Sequence, residues 1–284
     1  MHRIHRRNHA EATPEPTSRH AASLPAGWLL PLLLLAMTAF FTGPLPAQGS
    51  PIPVRFAEGM VRGFLELSDA DGKRIASGDF LQVPRGGELK CRTVLYFKDG
   101  SLHDESAVFT QERNFLMKSY RLIQKGKSFK EEMEVSLDRA GGGKYRVAVG
   151  KKGQEKVLEG TLELPLDVYN GMVPTVLKNL PKGAGKKIHM VAFTPAPRVI
   201  ELDMVPDGED RVLVGDLEKS ADHYVLKPKL GLLKLPAALL GRTPPDNHIW
   251  TITKEVPAFV RFTGPLALGG PIWRIELASP RWPK

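Results

Sequence analysis

From Gly87 to Lys125 the sequence reads as three long antiparallel strands in a row, and few folds accommodate that. In Glu88–Lys98, Leu89, Cys91, Thr93, Leu95 and Phe97 share one parity, and Lys90, Arg92, Val94, Tyr96 and Lys98 the other. A strand has a side-chain period of two, so this pattern marks a half-buried β-strand. Asp99-Gly100 follows, and such a pair predicts a two-residue type I′ hairpin turn. Ser101–Gln111 then runs back, and Asn114–Lys125 makes a third strand after Glu112-Arg113. Strands of about ten residues exceed the usual five or six. This meander is expected to be the wall on which the rest assembles.

Shorter alternating segments surround it. Met60–Leu67, Ile75–Val83, Glu132–Asp138, Lys144–Val149 and Lys156–Leu164 precede residue 165, separated by turns such as Asp69-Ala70-Asp71-Gly72 and Gly141-Gly142-Gly143. Lys187–Thr194, Arg198–Met204, Arg211–Val214, Asp222–Lys227, His248–Thr253, Ala258–Thr263 and Ile272–Leu277 follow it. Between the two sets the period changes. In Asp167–Leu180, Val168, Met172, Val176, Leu177 and Leu180 form a helical stripe, with Asp167 placed to cap its start and Pro181 to end it. Pro174 predicts a kink or a new first turn there. The expected fold is mainly β: a long curved antiparallel sheet, half-barrel or barrel-like, covered or plugged by one kinked amphipathic helix. One continuous sheet is preferred to two sub-sheets. Met172, Val176 and Leu177 are expected to be buried, and Lys178 and Asn179 to reach solvent.

The first 47 residues stand apart from this pattern. A basic stretch with Arg3, Arg6, Arg7 and Arg19 precedes the apolar run Trp28–Phe41, and Gly43–Ala47 ends in a small residue. That order is the pattern of a secretory signal, with an uncleaved N-terminal anchor as the alternative. Residues 1–47 are therefore expected to be a signal or anchor, and 48–284 one β-rich exported domain, periplasmic or secreted. The formal charge is +9. The lysines gather at turns, where they keep strand edges soluble, and no nucleic-acid module is recognisable. Surface contact with a membrane is the other use for such charge. Cys91 is the only cysteine and shares a face with Leu89 and Leu95, so it reads as a small buried hydrophobe without a disulfide.

Sites are harder to find. There is no G-x-S-x-G nucleophile elbow and no H-E-x-x-H metal helix, and the glycine triplet, although Lys144 follows it, lacks the Ser/Thr of a phosphate loop and no helix pattern follows it. Four histidines follow residue 47: His103, His189, His223 and His248. His103 and Glu105 share a strand face, but a solvated strand end beside the hairpin explains them better than a metal site. In Asp222-His223-Tyr224 the histidine faces away from its neighbours, which suits a structural or surface role. His248 follows a turn-rich loop and, with Asp246 and His223, is the first candidate for catalysis. The carboxylate clusters Glu131-Glu132 and Asp207–Asp210 lie next to turns, where they stay ionised, so they do not suggest a glycosidase. The apolar surplus is more informative. Leu232, Leu233 and Leu235, within Leu230–Leu240, join Met172, Val176, Leu177 and Trp250 as residues expected either to line a ligand cavity or to fill the core.

Several motifs carry a resemblance. Tyr96-Phe97-Lys98-Asp99-Gly100-Ser101-Leu102 with Val108–Gln111, Leu164–Met172, and Phe262–Leu266 with Gly269–Arg274 are similar to a family of uncharacterised secreted bacterial β-rich proteins. The resemblance covers most of the chain after residue 47 and implies export, but no activity. In architecture alone, a curved sheet with a helix inside resembles the half-barrels of periplasmic lipoprotein carriers. The function expected is a non-catalytic carrier or binding module of the cell envelope for an apolar or lipid-like ligand, with no cofactor and no metal. A structural component that contacts an envelope protein, and an enzyme of unknown class, are the alternatives.

Overall fold

Strands make up most of the described chain and pair into a single sheet. The computed structural model describes residues 49–151, 153–193, 197–214, 217–229, 245–252, 257–267 and 269–278. The first eight strands are β1 (Val61–Ser68), β2 (Arg74–Arg85), β3 (Glu88–Phe97), β4 (Leu102–Gln111), β5 (Phe115–Lys125), β6 (Met133–Asp138), β7 (Lys144–Val149) and β8 (Lys156–Thr161). A short helix α1 (Val173–Lys178) separates them from β9 (Lys186–Ala192), β10 (Arg198–Val214), β11 (Leu217–Lys229), β12 (Asn247–Ile252), β13 (Ala258–Gly264) and β14 (Trp273–Ala278). All pair antiparallel in the order β8, β7, β6, β5, β4, β3, β2, β1, β14, β13, β12, β11, β10, β9. Each half is a meander, and the pair β1–β14 joins the first strand to the last. The sheet does not close: β8 and β9 are its edges. All of this lies within one unit, Ala47–Lys284. Among the described residues no helix is long and apolar enough to cross a membrane.

The sheet is strongly curved. The Tyr120 ring of β5 stacks on Phe193, the residue after β9, with centroids 5.5 Å apart. Ten strand steps separate β5 from β9 in the sheet order, which on a flat sheet would be about 48 Å. Only a sheet wrapped around its inward face brings them together. That face carries the main core, with Leu89, Phe109, Phe115, Leu137, Leu202 and Tyr224 among its buried side chains. A second cluster, including Leu67, Leu95, Phe97, Phe129 and Trp273, packs against the first through Phe80 and Phe259.

Two strand expectations change. Arg198–Met204 and Arg211–Val214 are one strand, β10. Asp207-Gly208 is a bulge in it rather than a turn, because β11 pairs continuously past the irregularity between Pro206 and Glu209. The segment Leu230–Leu240 lies outside the described residues.

The connection through the concave side is not a long kinked helix. Val168, just after a turn at Leu166-Asp167, bridges β9 in parallel at His189. Tyr169 N donates to His189 O, and His189 N to Asp167 O, at 3.0 Å each. Asn170 continues the edge with its side chain: Oδ1 accepts from Val191 N at 2.8 Å and Nδ2 donates to Val191 O at 2.9 Å. This ladder covers the edge of β9 and consumes the residues expected to start the helix. Asp167 is therefore not a cap; its Oδ1 lies 2.7 Å from His189 Nδ1. Gly171 turns the chain with φ of 71°, and the helix begins only where Pro174 can occupy its first turn.

Helix burial also differs from expectation. Met172, Val176 and Leu177 are buried, but so are Lys178 and Asn179. Lys178 Nζ lies 2.8 Å from Glu58 Oε2, with both side chains less than a tenth exposed, at 8% and 7%. Gln82 Nε2 donates to the same carboxylate oxygen at 2.8 Å. Asn179 Oδ1 accepts from the backbone N–H of Arg55 and Phe56, 2.9 Å each. The lead-in before β1 folds over this side of the helix, which a helical wheel does not register. It is held further by Tyr169 OH, which accepts from Ile52 N at 2.7 Å and donates to Phe115 O at 2.9 Å.

Leu177→Ala should cost about 2–5 kcal/mol, the usual range for a buried leucine. Lys178→Ala should cost about 3–5 kcal/mol, because it strands Glu58 without its cation. Chemical denaturation of both variants checks this; a harmless Lys178→Ala would show that the ion pair does not hold the lead-in.

Candidate functional site

A cavity of about 280 Å³ lies where the two core clusters meet. Its apolar wall includes Leu65, Phe80, Met172, Leu202, Ile249 and Phe259. Its polar groups come mainly from β3, β4 and β5: Cys91, Thr93, His103, Glu105 and Tyr120, with Asn247 opposite them in the sequence of strands.

One turn decides this composition. With a two-residue turn at Asp99-Gly100, Phe97 would pair with Leu102, and Asp104 and Ser106 would face inward. The observed loop has three residues, Lys98-Asp99-Gly100. Gly100 N donates to Phe97 O at 3.0 Å, Phe97 N donates to Ser101 O at 2.9 Å, and Gly100 has φ of 83°. This is the loop in which a left-handed glycine ends a type I turn. The register slips by one, so Leu95 pairs with His103 and Thr93 with Glu105. A one-residue slip exchanges the faces of the whole strand. His103 and Glu105 are thus inside the sheet, not at a solvated strand end.

His103 is 4% exposed, and burial pushes its pKa down to about 4. Gln124 lies opposite it on β5. The Gln124 amide Nε2 donates to Leu266 O at 2.9 Å and lies 3.1 Å from His103 Nδ1. An amide N–H only donates, so Nδ1 is the acceptor and the neutral ring carries its proton on Nε2. Glu105 accepts at Oε1 from Tyr120 OH at 2.8 Å. Burial raises the Glu105 pKa and the Tyr120 hydrogen bond opposes this in part. Burial, and then the charge of Glu105, hold the Tyr120 phenol well above its ordinary value. The Cys91 thiol is pushed up to about 12, first by burial and then by Glu58, so it stays neutral and unreactive.

The residues expected to form a ligand site divide. Met172 lines the cavity, whereas Val176 and Leu177 are in the core behind it. Leu232, Leu233 and Leu235 lie outside the described residues. Trp250 does not line the cavity. Its neighbours Ile249 and Thr251 are buried on the inward side, so alternation turns the indole to the opposite face. There it stacks on His223, with centroids 4.3 Å apart, and donates from Nε1 to Asp210 Oδ2 at 2.8 Å. His223 Nε2 lies 3.0 Å from His248 Nδ1. Asp246, just before β12, is exposed. The catalytic candidates His223, His248 and Asp246 thus sit away from the cavity. Among the described residues no group of three or more His, Cys, Asp or Glu is arranged to hold a metal.

His103 stays neutral when folded but is protonated on unfolding below about pH 6.5. The unfolded state then binds the extra proton, so stability falls as pH drops from about 6.5 to about 4, by about 3 kcal/mol in all. Urea denaturation across this window should show a His103→Gln variant losing about that much less than the unmodified chain.

No protein-family model, no curated protein and no solved structure matches this chain.

Proposed function

We propose that this chain is an exported, non-catalytic binding or carrier module of the cell envelope that holds one small apolar ligand inside a half-barrel sheet. The observation that carries the reading is the cavity of about 280 Å³ between the two cores. Protein interiors are otherwise close-packed, so a largely apolar space of this size, partly open to solvent, is where a ligand would sit. An engineered cavity of about 150 Å³ holds a benzene, so this one suits a larger ring system or a single stretch of chain. The N-terminal signal pattern and the resemblance to secreted β-rich proteins support export, and the curved sheet with its internal helix supports the likeness to lipoprotein-carrier half-barrels.

A second reading, an interaction component of the envelope, has one observation in its favour. Among the described residues β8 has no strand on its far side, and its Val157 is exposed. Such an edge accepts an added strand from a partner.

Butylbenzene added to the purified full chain should raise its melting temperature and perturb NMR signals of cavity residues. Ile249→Trp, which fills the space, should remove both effects while leaving the sheet folded. Native mass spectrometry of protein taken from its own compartment should show a co-purifying small molecule. A chain that carries nothing and ignores apolar probes would defeat the carrier reading.

A further inference from the structure

The cavity is apolar over most of its wall, but its polar groups are not a neutral mixture. Among the described residues its lining includes one carboxyl group, Glu105, and neither lysine nor arginine. Glu105 is enclosed by β3, β4 and β5 yet keeps accessible surface, and the space it borders is the cavity. Tyr120 occupies one carboxylate oxygen. His103 supplies no positive charge, since its Nδ1 is committed to Gln124. Asn247, on the same lining, has a buried Oδ1 without a hydrogen-bond partner among the described residues. The unused capacity of the charged group and of the amide is therefore acceptor capacity. A buried carboxylate without a cation is costly, and a ligand that brings the cation relieves that cost.

Building on the binding reading above, we infer that the ligand of this cavity is a small apolar molecule bearing one protonated amine, and that Glu105 is the residue that selects it. The ammonium offers donors and charge to the free side of the Glu105 carboxylate, while the ring or chain occupies the wall formed by Leu65, Phe80 and Ile249. Tyr120 positions the carboxylate by its hydrogen bond. A carboxylate ligand is repelled by Glu105, and a neutral alcohol leaves the charge unpaired. The titratable groups around Glu105 are Cys91 on β3, His103 on β4 and Tyr120 on β5, with the Glu58–Lys178 pair behind Cys91. The thiol and the phenol stay neutral through neutral pH, and His103 is neutral above about pH 4, so Glu105 governs the pH response of binding.

Calorimetric titration of the full chain with phenethylamine, phenethyl alcohol and phenylacetate separates the possibilities. At neutral pH the amine should bind at least about tenfold more tightly than the alcohol, and phenylacetate most weakly. Glu105→Gln should bring the amine down to the level of the alcohol while the alcohol itself changes by less than about twofold. If Glu105→Gln does not fold, the unmodified chain decides. As pH falls below the Glu105 pKa, amine affinity should drop by up to about tenfold per pH unit while alcohol affinity stays level. Equal binding of all three probes, or an amine preference that survives Glu105→Gln or ignores pH, overturns the assignment to Glu105 and leaves the apolar-ligand reading standing. If none of the three binds, both fall together.

Discussion

An open sheet with one apolar face must find something to cover that face, and most of this architecture follows from the requirement. Fourteen strands expose far more inward surface than two edge strands could seal by pairing. The sheet curls until residues from β5 and from beyond β9 touch, as the Tyr120–Phe193 stack shows. The remaining interior is filled by the connection from β8 to β9 and by the lead-in before β1. These two segments are tied to each other by Tyr169, Asn179 and the Glu58–Lys178 pair. The first of them also covers the open edge of β9, and the short helix lies within that filling.

Polar groups inside the sheet follow a rule of local satisfaction. His103 is neutral and bonded to Gln124, Glu58 is paired with Lys178 and Gln82, and Asn170 completes the edge of β9 with its side chain. Each cancels most of its own desolvation cost, as buried polar groups must. Asn247 Oδ1 and Thr251 Oγ1 depart from this rule, and Glu105 has a hydrogen bond from Tyr120 but no cation among the described residues that line its cavity. A group that lowers stability where neutral alternatives exist is a reasonable place to look for function. The cavity and the carboxyl lie together, which links the proposed ligand to the chemistry of its wall.

The opposite face has its own organised cluster. Asp210, His223, His248 and Trp250 join β10, β11 and β12 through a stacked indole and two polar contacts. His223 Nδ1 is 3.4 Å from Asp207 Oδ2 and 3.6 Å from Asp210 Oδ2, so both of its nitrogens have neighbours. Asp207, at the bulge, and Asp210 lie beside the same ring. The contacts of the cluster link three neighbouring strands.

The sequence by itself determined the secondary structure of almost every described strand, because a side-chain period of two is a local property. It also determined that Leu89, Cys91, Leu95 and Phe97 are buried, since β3 has one clearly apolar face. The face of β4 was not legible in the same way. Leu102 and Val108 compete with Ala107 and Phe109, and one loop residue decides between them. The three-residue loop at Gly100 therefore placed His103 and Glu105 in the cavity, and only the hydrogen bonding of the folded hairpin reveals that choice. Helix periodicity located Met172, Val176 and Leu177 correctly inside. It misjudged Lys178 and Asn179 because their cover is the lead-in, more than a hundred residues earlier in the chain. The pairing of β1 with β14, the curl of the sheet and the space left between two cores are likewise tertiary. They depend on contacts between segments far apart in sequence, which no local pattern records.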